Sequence, residues 1–293
     1  MKNLFLTFLI LSSCGTRADL KVDLFEKKSL FSGKAGESTP FVMNEKLYYM
    51  TSTMTKWNQN NTGEILIYNE SQKLVSKTSV NFSLGSAIVD NETLYVIGSR
   101  DWHKRENSFY IISTSDLKNW TNEREIIKAD KDTTFYNNST TKVGNKFIMS
   151  YEYCKDGEIC FQIAFKESID LVNWTSVGEK LSINKYTACP TLKFSDGFFY
   201  LFYAEQIPRA APACETYFVR SKDLKTWSKK ALVLSPLSKD KNDAICDSDF
   251  DFVEYKNKLF GIYLEGNQKT WFRARLAQFN GTTNDLTKAI KWD

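Results

Sequence analysis

Four carboxylic acids in this chain, Glu37, Glu152, Glu205 and Asp249, have the residue type and the setting for paired acid–base chemistry. Glu37 opens an apolar, strand-like run. Asp249 stands in the alternating Asp247-Ser248-Asp249-Phe250-Asp251, and Glu152, Glu205 and Glu265 each close an aromatic-rich run. Like charges gathered at close range raise one another's pKa. Such a cluster splits into a protonated acid and an ionised base or nucleophile, which is what cleavage of a glycosidic bond requires. Polar segments add Arg100, Asp101, His103, Arg209 and Gln268 as substrate-binding groups, with Trp57 and Trp102 as platforms for a sugar ring. His103 is the single histidine, which leaves neither a zinc ligand set nor a Cys/His nucleophile. The alternating aspartates point to one side of a strand, where a structural calcium ion or capping of the entry loop are competing readings. No other cofactor is expected.

Residues so distant in sequence need a fold that gathers them, and the chain carries a period. Thr114-Ser115-Asp116-Leu117-Lys118-Asn119-Trp120, Ser168-Ile169-Asp170-Leu171-Val172-Asn173-Trp174 and Ser221-Lys222-Asp223-Leu224-Lys225-Thr226-Trp227 place their aspartates 54 and then 53 residues apart. A fixed period near fifty signals a stack of one supersecondary unit. Within it, runs such as Phe198 to Tyr203 follow turns such as Ser195-Asp196-Gly197, a hairpin signal, and no comparable segment has helical spacing. The unit is a small antiparallel sheet. About five such units fit residues 22–293, so the expected fold is all-β, a five-bladed β-propeller of four-stranded antiparallel blades in one domain. The Asp-Leu-x-x-Trp boxes suit tight connections, with the carboxylate capping backbone N–H groups and the indole covering the sheet edge.

The boxes resemble the Ser-x-Asp-Leu-x-x-Trp turn of five-bladed propeller glycosidases, the glycoside hydrolase families 43, 32 and 130 and their relatives. Ala188-Cys189-Pro190, Ser248-Asp249-Phe250-Asp251 and Gly266-Asn267-Gln268 look like successive signatures of a related bacterial propeller family. The resemblance implies a glycoside hydrolase acting on an oligo- or polysaccharide. Strand starts and the loops after second strands would share its ligand face, and the boxes would lie opposite. Family 43 enzymes carry Asp-Pro near the first strand, with the Asp as base, where this chain has Thr39-Pro40; relatives with a Glu-Ser-Pro start are nearer in pattern, which passes the role to Glu37 if one inserted residue is tolerated. That departure motivates a rival expectation, a glycan-binding lipoprotein without turnover.

Met1-Lys2-Asn3 and the apolar Leu4 to Leu11 read as an export signal too short to span a bilayer. Leu11-Ser12-Ser13-Cys14 resembles a lipobox, which implies a signal peptide over 1–13, lipidation at Cys14 and a tether over 14–21 on a membrane-anchored periplasmic or surface protein. Export permits disulfides. Cys154 and Cys160 flank a tight loop with Asp156-Gly157 at its tip and form a good pair. Of Cys189, Cys214 and Cys246, Cys214 with Cys246 is the preferred bridge. A net charge of +4 with interspersed signs gives no basic stripe, which argues against a nucleic-acid partner, and a monomer is expected.

Overall fold

The computed structural model describes residues 24–54, 63–100, 107–181, 187–206, 214–234, 246–266 and 271–290. Strand β1 (Glu26–Leu30) comes first in the chain and last in the ring. Blade I is β2 (Glu37–Met43), β3 (Lys46–Met54), β4 (Gly63–Asn69) and β5 (Leu74–Val80), in that order from the axis outward. Blade II is β6 (Ser83–Asp90), β7 (Thr93–Ser99), β8 (Ser108–Thr114) and β9 (Arg124–Lys128). Blade III is β10 (Thr133–Val143), β11 (Lys146–Lys155), β12 (Gln162–Ser168) and β13 (Thr175–Ser176). Blade IV is β14 (Thr187–Ser195), β15 (Phe198–Gln206), β16 (Cys214–Ser221) and β17 (Ala231–Leu234). Blade V is β18 (Cys246–Tyr255), β19 (Lys258–Gly266) and β20 (Phe272–Phe279), and β1 supplies its fourth strand. The expected five-bladed propeller is therefore the fold. The amino-terminal strand completes the last blade, so neither blade V nor the ring is left with an unpaired end.

Local chemistry explains the hairpins. The turns at Asn44-Glu45, Asn91-Glu92, Asp196-Gly197 and Lys256-Asn257 hold both central residues at positive φ, and such two-residue turns match the right-handed twist of the strands they join. Five apolar clusters then fill the five seams between blades. Phe41, Ile65 and Val96 lie between blades I and II, and Phe109, Phe135 and Phe147 between II and III. Ile163, Leu201 and Val219 join III to IV, and Phe202, Phe218 and Phe250 join IV to V. Tyr49 and Tyr68 of blade I meet Ile262 of blade V and Phe31 in the fifth seam, which shows that the ring closes. A short helix α1 (Thr283–Lys288), the one helix among the described residues, follows blade V and buries Leu286 in the IV–V seam.

The repeated boxes stitch these seams. Asp116 Oδ1 accepts the backbone N–H groups of Lys118 and Asn119, Asp170 those of Val172 and Asn173, and Asp223 those of Lys225 and Thr226. Those bonds hold all three carboxyls below the usual carboxylate range. The intervening Leu117, Leu171 and Leu224 adopt left-handed φ of 58°, 62° and 59°, which turns each side chain into the seam with the preceding blade. The Trp does the same: Trp227 stacks on Phe165 of blade III at 5.5 Å, and Trp120 donates to Ser76 of blade I. Leu224 is fully enclosed, so Leu224→Ala should cost about 2–5 kcal/mol. Urea unfolding checks this, and a loss below about 1 kcal/mol would show that the box does not carry the seam.

Two disulfides are present, Cys154–Cys160 within β11 and its following loop and Cys214–Cys246 between blades IV and V, and Cys189 is free. Both expected pairings form.

Candidate active site

The innermost strands position the site through one repeated irregularity. In β6, β10, β14 and β18 the register against the second strand slips at the same place, where three steps on the inner strand answer two on its partner. Each slip is a β-bulge, which re-aims a side chain and sharpens the local twist. It places Leu84, Cys189 and Asp249 at φ of 48°, 55° and 54°. Strand β2 has no slip and pairs evenly from Glu37 opposite Ser52 to Met43 opposite Lys46.

Around the axis these strands enclose a cavity of about 30 Å3, lined by Glu37 and Thr39 of blade I, Gly85 of blade II, Asn137 of blade III, Cys189 of blade IV and Asp249 of blade V. That volume admits a water or two. Glu37 hydrogen-bonds to Asp249. Asp249 Oδ1 accepts from Asn137 Nδ2 at 3.1 Å, and its Oδ2 accepts from Ser248 Oγ at 2.6 Å. Glu152 reaches the same centre from β11 and accepts the Cys189 backbone N–H at 2.8 Å. The structure thus brings together Glu37, Glu152 and Asp249 from three blades.

Burial without a counter-charge sets the protonation of Glu37 and Glu152. Burial, then the charge and hydrogen bond of Asp249, then the charge of Glu152, push Glu37 well above the carboxylate range. Burial pushes Glu152 up to about 8 against the lowering effect of the Cys189 N–H, with Asp249 adding to the rise. The Cys189 thiol is also pushed up, by burial and by all three carboxylates, and is a poor nucleophile.

Glu205 stands apart from this centre. The chain pattern places it level with Glu152 and Glu265, but the bulges reset the comparison. Glu152 faces the bulge of its blade, as Tyr203 and Tyr263 do in blades IV and V, whereas Glu205 and Glu265 lie two residues further along. There Glu205 meets Lys230 Nζ at 2.7 Å, and Glu265 meets Arg273 and Arg275. Burial works to raise Glu265, and the two arginines outweigh it and lower it. A cation neutralises each of those two carboxylates, while Glu152 has none among the described residues.

The bulge also corrects the reading of the alternating aspartates. With Asp249 at positive φ, Asp247 turns to Lys27 of β1 at 2.6 Å and Asp251 to Lys193 at 2.6 Å. Two of the three are committed to lysines, and among the described residues no group of three His, Cys, Asp or Glu is arranged to hold a metal ion. Thr39, where an Asp would stand by resemblance, accepts from Ala87 N and binds Asp251. Glu37 precedes it by two residues on an unbroken strand and shares its side. Arg100 bonds Glu123 at 3.2 Å and lies over the Tyr110 ring, away from the axial cavity. Trp57, Asp101, Trp102, His103, Arg209, Gln268 and Cys14 lie outside the described residues. Asn137 and Cys189 stand at strand starts on the expected ligand face, where the sequence assigns them no role, and both line the cavity.

No protein-family model matches this chain, and no curated protein sequence matches it. Solved structures match it in fold. The GH43 protein BlXynB from Bacillus licheniformis aligns with a TM-score of 0.60 at 12% identity, over 89% of this chain and 55% of its own, so this chain spans little more than half of that protein's length. A structure described as a glycoside hydrolase gives 0.64 at 11% identity, over 91% of this chain and 94% of its own. An exo-1,5-alpha-L-arabinanase from a bovine ruminal metagenomic library gives 0.59 at 8% identity, over 85% and 94%. These likenesses show that the chain has the five-bladed architecture of GH43 glycoside hydrolases.

Proposed function

We propose that the protein is a glycoside hydrolase-like enzyme that cleaves a glycosidic bond in an extracellular or periplasmic glycan. The observation that carries this reading is the axial meeting of three uncompensated carboxyls, of which Glu152 keeps its proton at neutral pH. Glu152 is the general acid that protonates the departing glycosidic oxygen. Asp249, held by the donors Asn137 and Ser248, is the carboxylate that takes a proton from water. Glu37, itself protonated, hydrogen-bonds to Asp249, which makes Asp249 a better candidate for the base than Glu37. A water activated beside Asp249 and a separate acid is the arrangement of inversion. Trp57, Trp102, Asp101, His103, Arg209 and Gln268 are the sugar-binding side chains of the same proposal. Two disulfides fit an oxidising compartment, and lipidation at Cys14 belongs to the same proposal.

Nitrophenyl glycosides and oligosaccharides, with the anomer of the first product read by NMR, test the reading. We expect turnover by the wild type with inversion, a fall of at least about a hundredfold in Asp249→Asn, and activity lost as pH rises through the Glu152 range. Binding of a glycan without cleavage by the wild type would replace hydrolysis with the glycan-binding reading, which the Thr39 substitution favours.

A further inference from the structure

Two adjacent asparagines at the start of β10 have opposite fates. Asn138 satisfies its amide inside the fold, accepting from Ser86 Oγ at 2.7 Å and donating to Ile97 O at 3.0 Å, and so ties blade III to blade II. Asn137 uses only half of its amide. Its Nδ2 crosses the axis to Asp249 on blade V, while its Oδ1 is enclosed and has no partner among the described residues. An enclosed carbonyl oxygen without a donor is rare in a folded protein and calls for an explanation.

The axial cavity supplies one. It is lined by Asn137, Asp249, Glu37 and Cys189 and has the size of a water. A water about to attack carbon must give one hydrogen to the base, and its second hydrogen needs an acceptor that fixes where the remaining lone pair points. Asp249 is the first acceptor. Among the residues that line the cavity, Asn137 Oδ1 is the enclosed side-chain oxygen that has no hydrogen-bond partner among the described residues, whereas Glu152 already accepts the Cys189 N–H.

We propose that Asn137 is the positioning residue for the hydrolytic water: its Nδ2 orients Asp249, and its Oδ1 accepts the hydrogen of the water that Asp249 does not take. The inference rests on the hydrolase reading for its chemical meaning, but the geometry it asserts does not depend on turnover. In the step itself the water O–H bond to Asp249 breaks, the oxygen bonds the anomeric carbon, the glycosidic C–O bond breaks, and Glu152 gives its proton to the leaving oxygen. The second water hydrogen stays on oxygen throughout and ends on the new sugar hydroxyl, so a neutral acceptor such as an amide carbonyl suffices.

The test uses the full chain, wild type and Asn137→Ala, with Asn137→Asp as a variant that keeps the acceptor oxygen and loses the N–H donor. A high-resolution crystal structure of the substrate-free wild type is expected to show a water within hydrogen-bond distance of both Asn137 Oδ1 and Asp249. A cavity without that water, or a water bonded elsewhere, overturns the proposal whether or not any glycoside is cleaved. The crystal structure of Asn137→Ala is the second readout. Loss of the donor should turn the Asp249 carboxylate from its wild-type position, and an unchanged carboxylate overturns the orienting role. On a nitrophenyl glycoside that the wild type cleaves, Asn137→Ala should lower kcat about a hundredfold with KM within a factor of two. A rise in KM at constant kcat would show that Asn137 binds sugar and does not position water. Absence of cleavage by the wild type would defeat the hydrolase reading alone, since the crystal structures still decide the geometry.

Discussion

Glu152→Gln is expected to make the protein more stable at pH 8 while removing its turnover. Glu152 titrates near 4.5 in the unfolded chain and is pushed up to about 8 in the fold. Below 4.5 both states hold the proton and there is no penalty. As pH rises from there to about 8, the unfolded chain ionises while the folded protein must keep the proton, so the folded state loses stability across that window. At about 1.4 kcal/mol per pH unit, the loss is on the order of 4–5 kcal/mol by pH 8. Glu37 is raised for the same leading reason and adds a loss of the same sign. Glutamine keeps an oxygen for the Cys189 N–H and cannot ionise, so the variant escapes the Glu152 share of the loss. Urea unfolding at pH 5 and pH 8 measures it. The variant and the wild type should nearly coincide at pH 5 and separate at pH 8 in favour of the variant. A variant that is less stable at both pH values would mean that Glu152 is an ordinary structural carboxylate, and the general acid would have to be sought elsewhere.

Removing the Cys214–Cys246 bridge has the next largest consequence. It joins β16 of blade IV to the head of β18, the strand that carries Asp249, and it closes a separation of 32 residues. Chain entropy alone makes such a cross-link worth about 3–4 kcal/mol, whereas the 6-residue separation of Cys154–Cys160 gives about 2 kcal/mol. The double variant Cys214→Ala/Cys246→Ala is the proper probe, because a single substitution would leave a thiol next to Cys189, which packs against the same bridge. Calorimetry should show a larger loss of thermal stability for this variant than for Cys154→Ala/Cys160→Ala. An equal or smaller loss would show that blades IV and V are held by the Phe202–Phe218–Phe250 packing, with the bridge redundant.

The legible part of this protein was its local and periodic part. Asp-Gly at 196–197 specifies its hairpin because only a few residue types tolerate two successive positive φ values, and that requirement is met within four residues. The Asp-Leu-x-x-Trp boxes gave the period, because each must turn the chain at the same point of each blade. Cys154 and Cys160 are close in the chain and were readable for the same reason. Glu37, Glu152 and Asp249 could be assigned to one end of the ring once the strand direction was known.

What the sequence determined by itself was therefore the unit, its number and the end of the ring on which the acids lie. The tertiary structure alone decided which acids share the cavity. Between hairpin turn and bulge, blade III has six residue pairs where blades IV and V have five, so that Glu152 falls opposite its bulge while Glu205 and Glu265, alike in the chain, fall two residues beyond theirs, onto Lys230 and the arginines. A bulge adds a residue without a distinctive sequence mark, and a counter-ion comes from whichever neighbouring strand the twist delivers. Both depend on how strands pair across the sheet, and that pairing is not encoded in the spacing along any one of them.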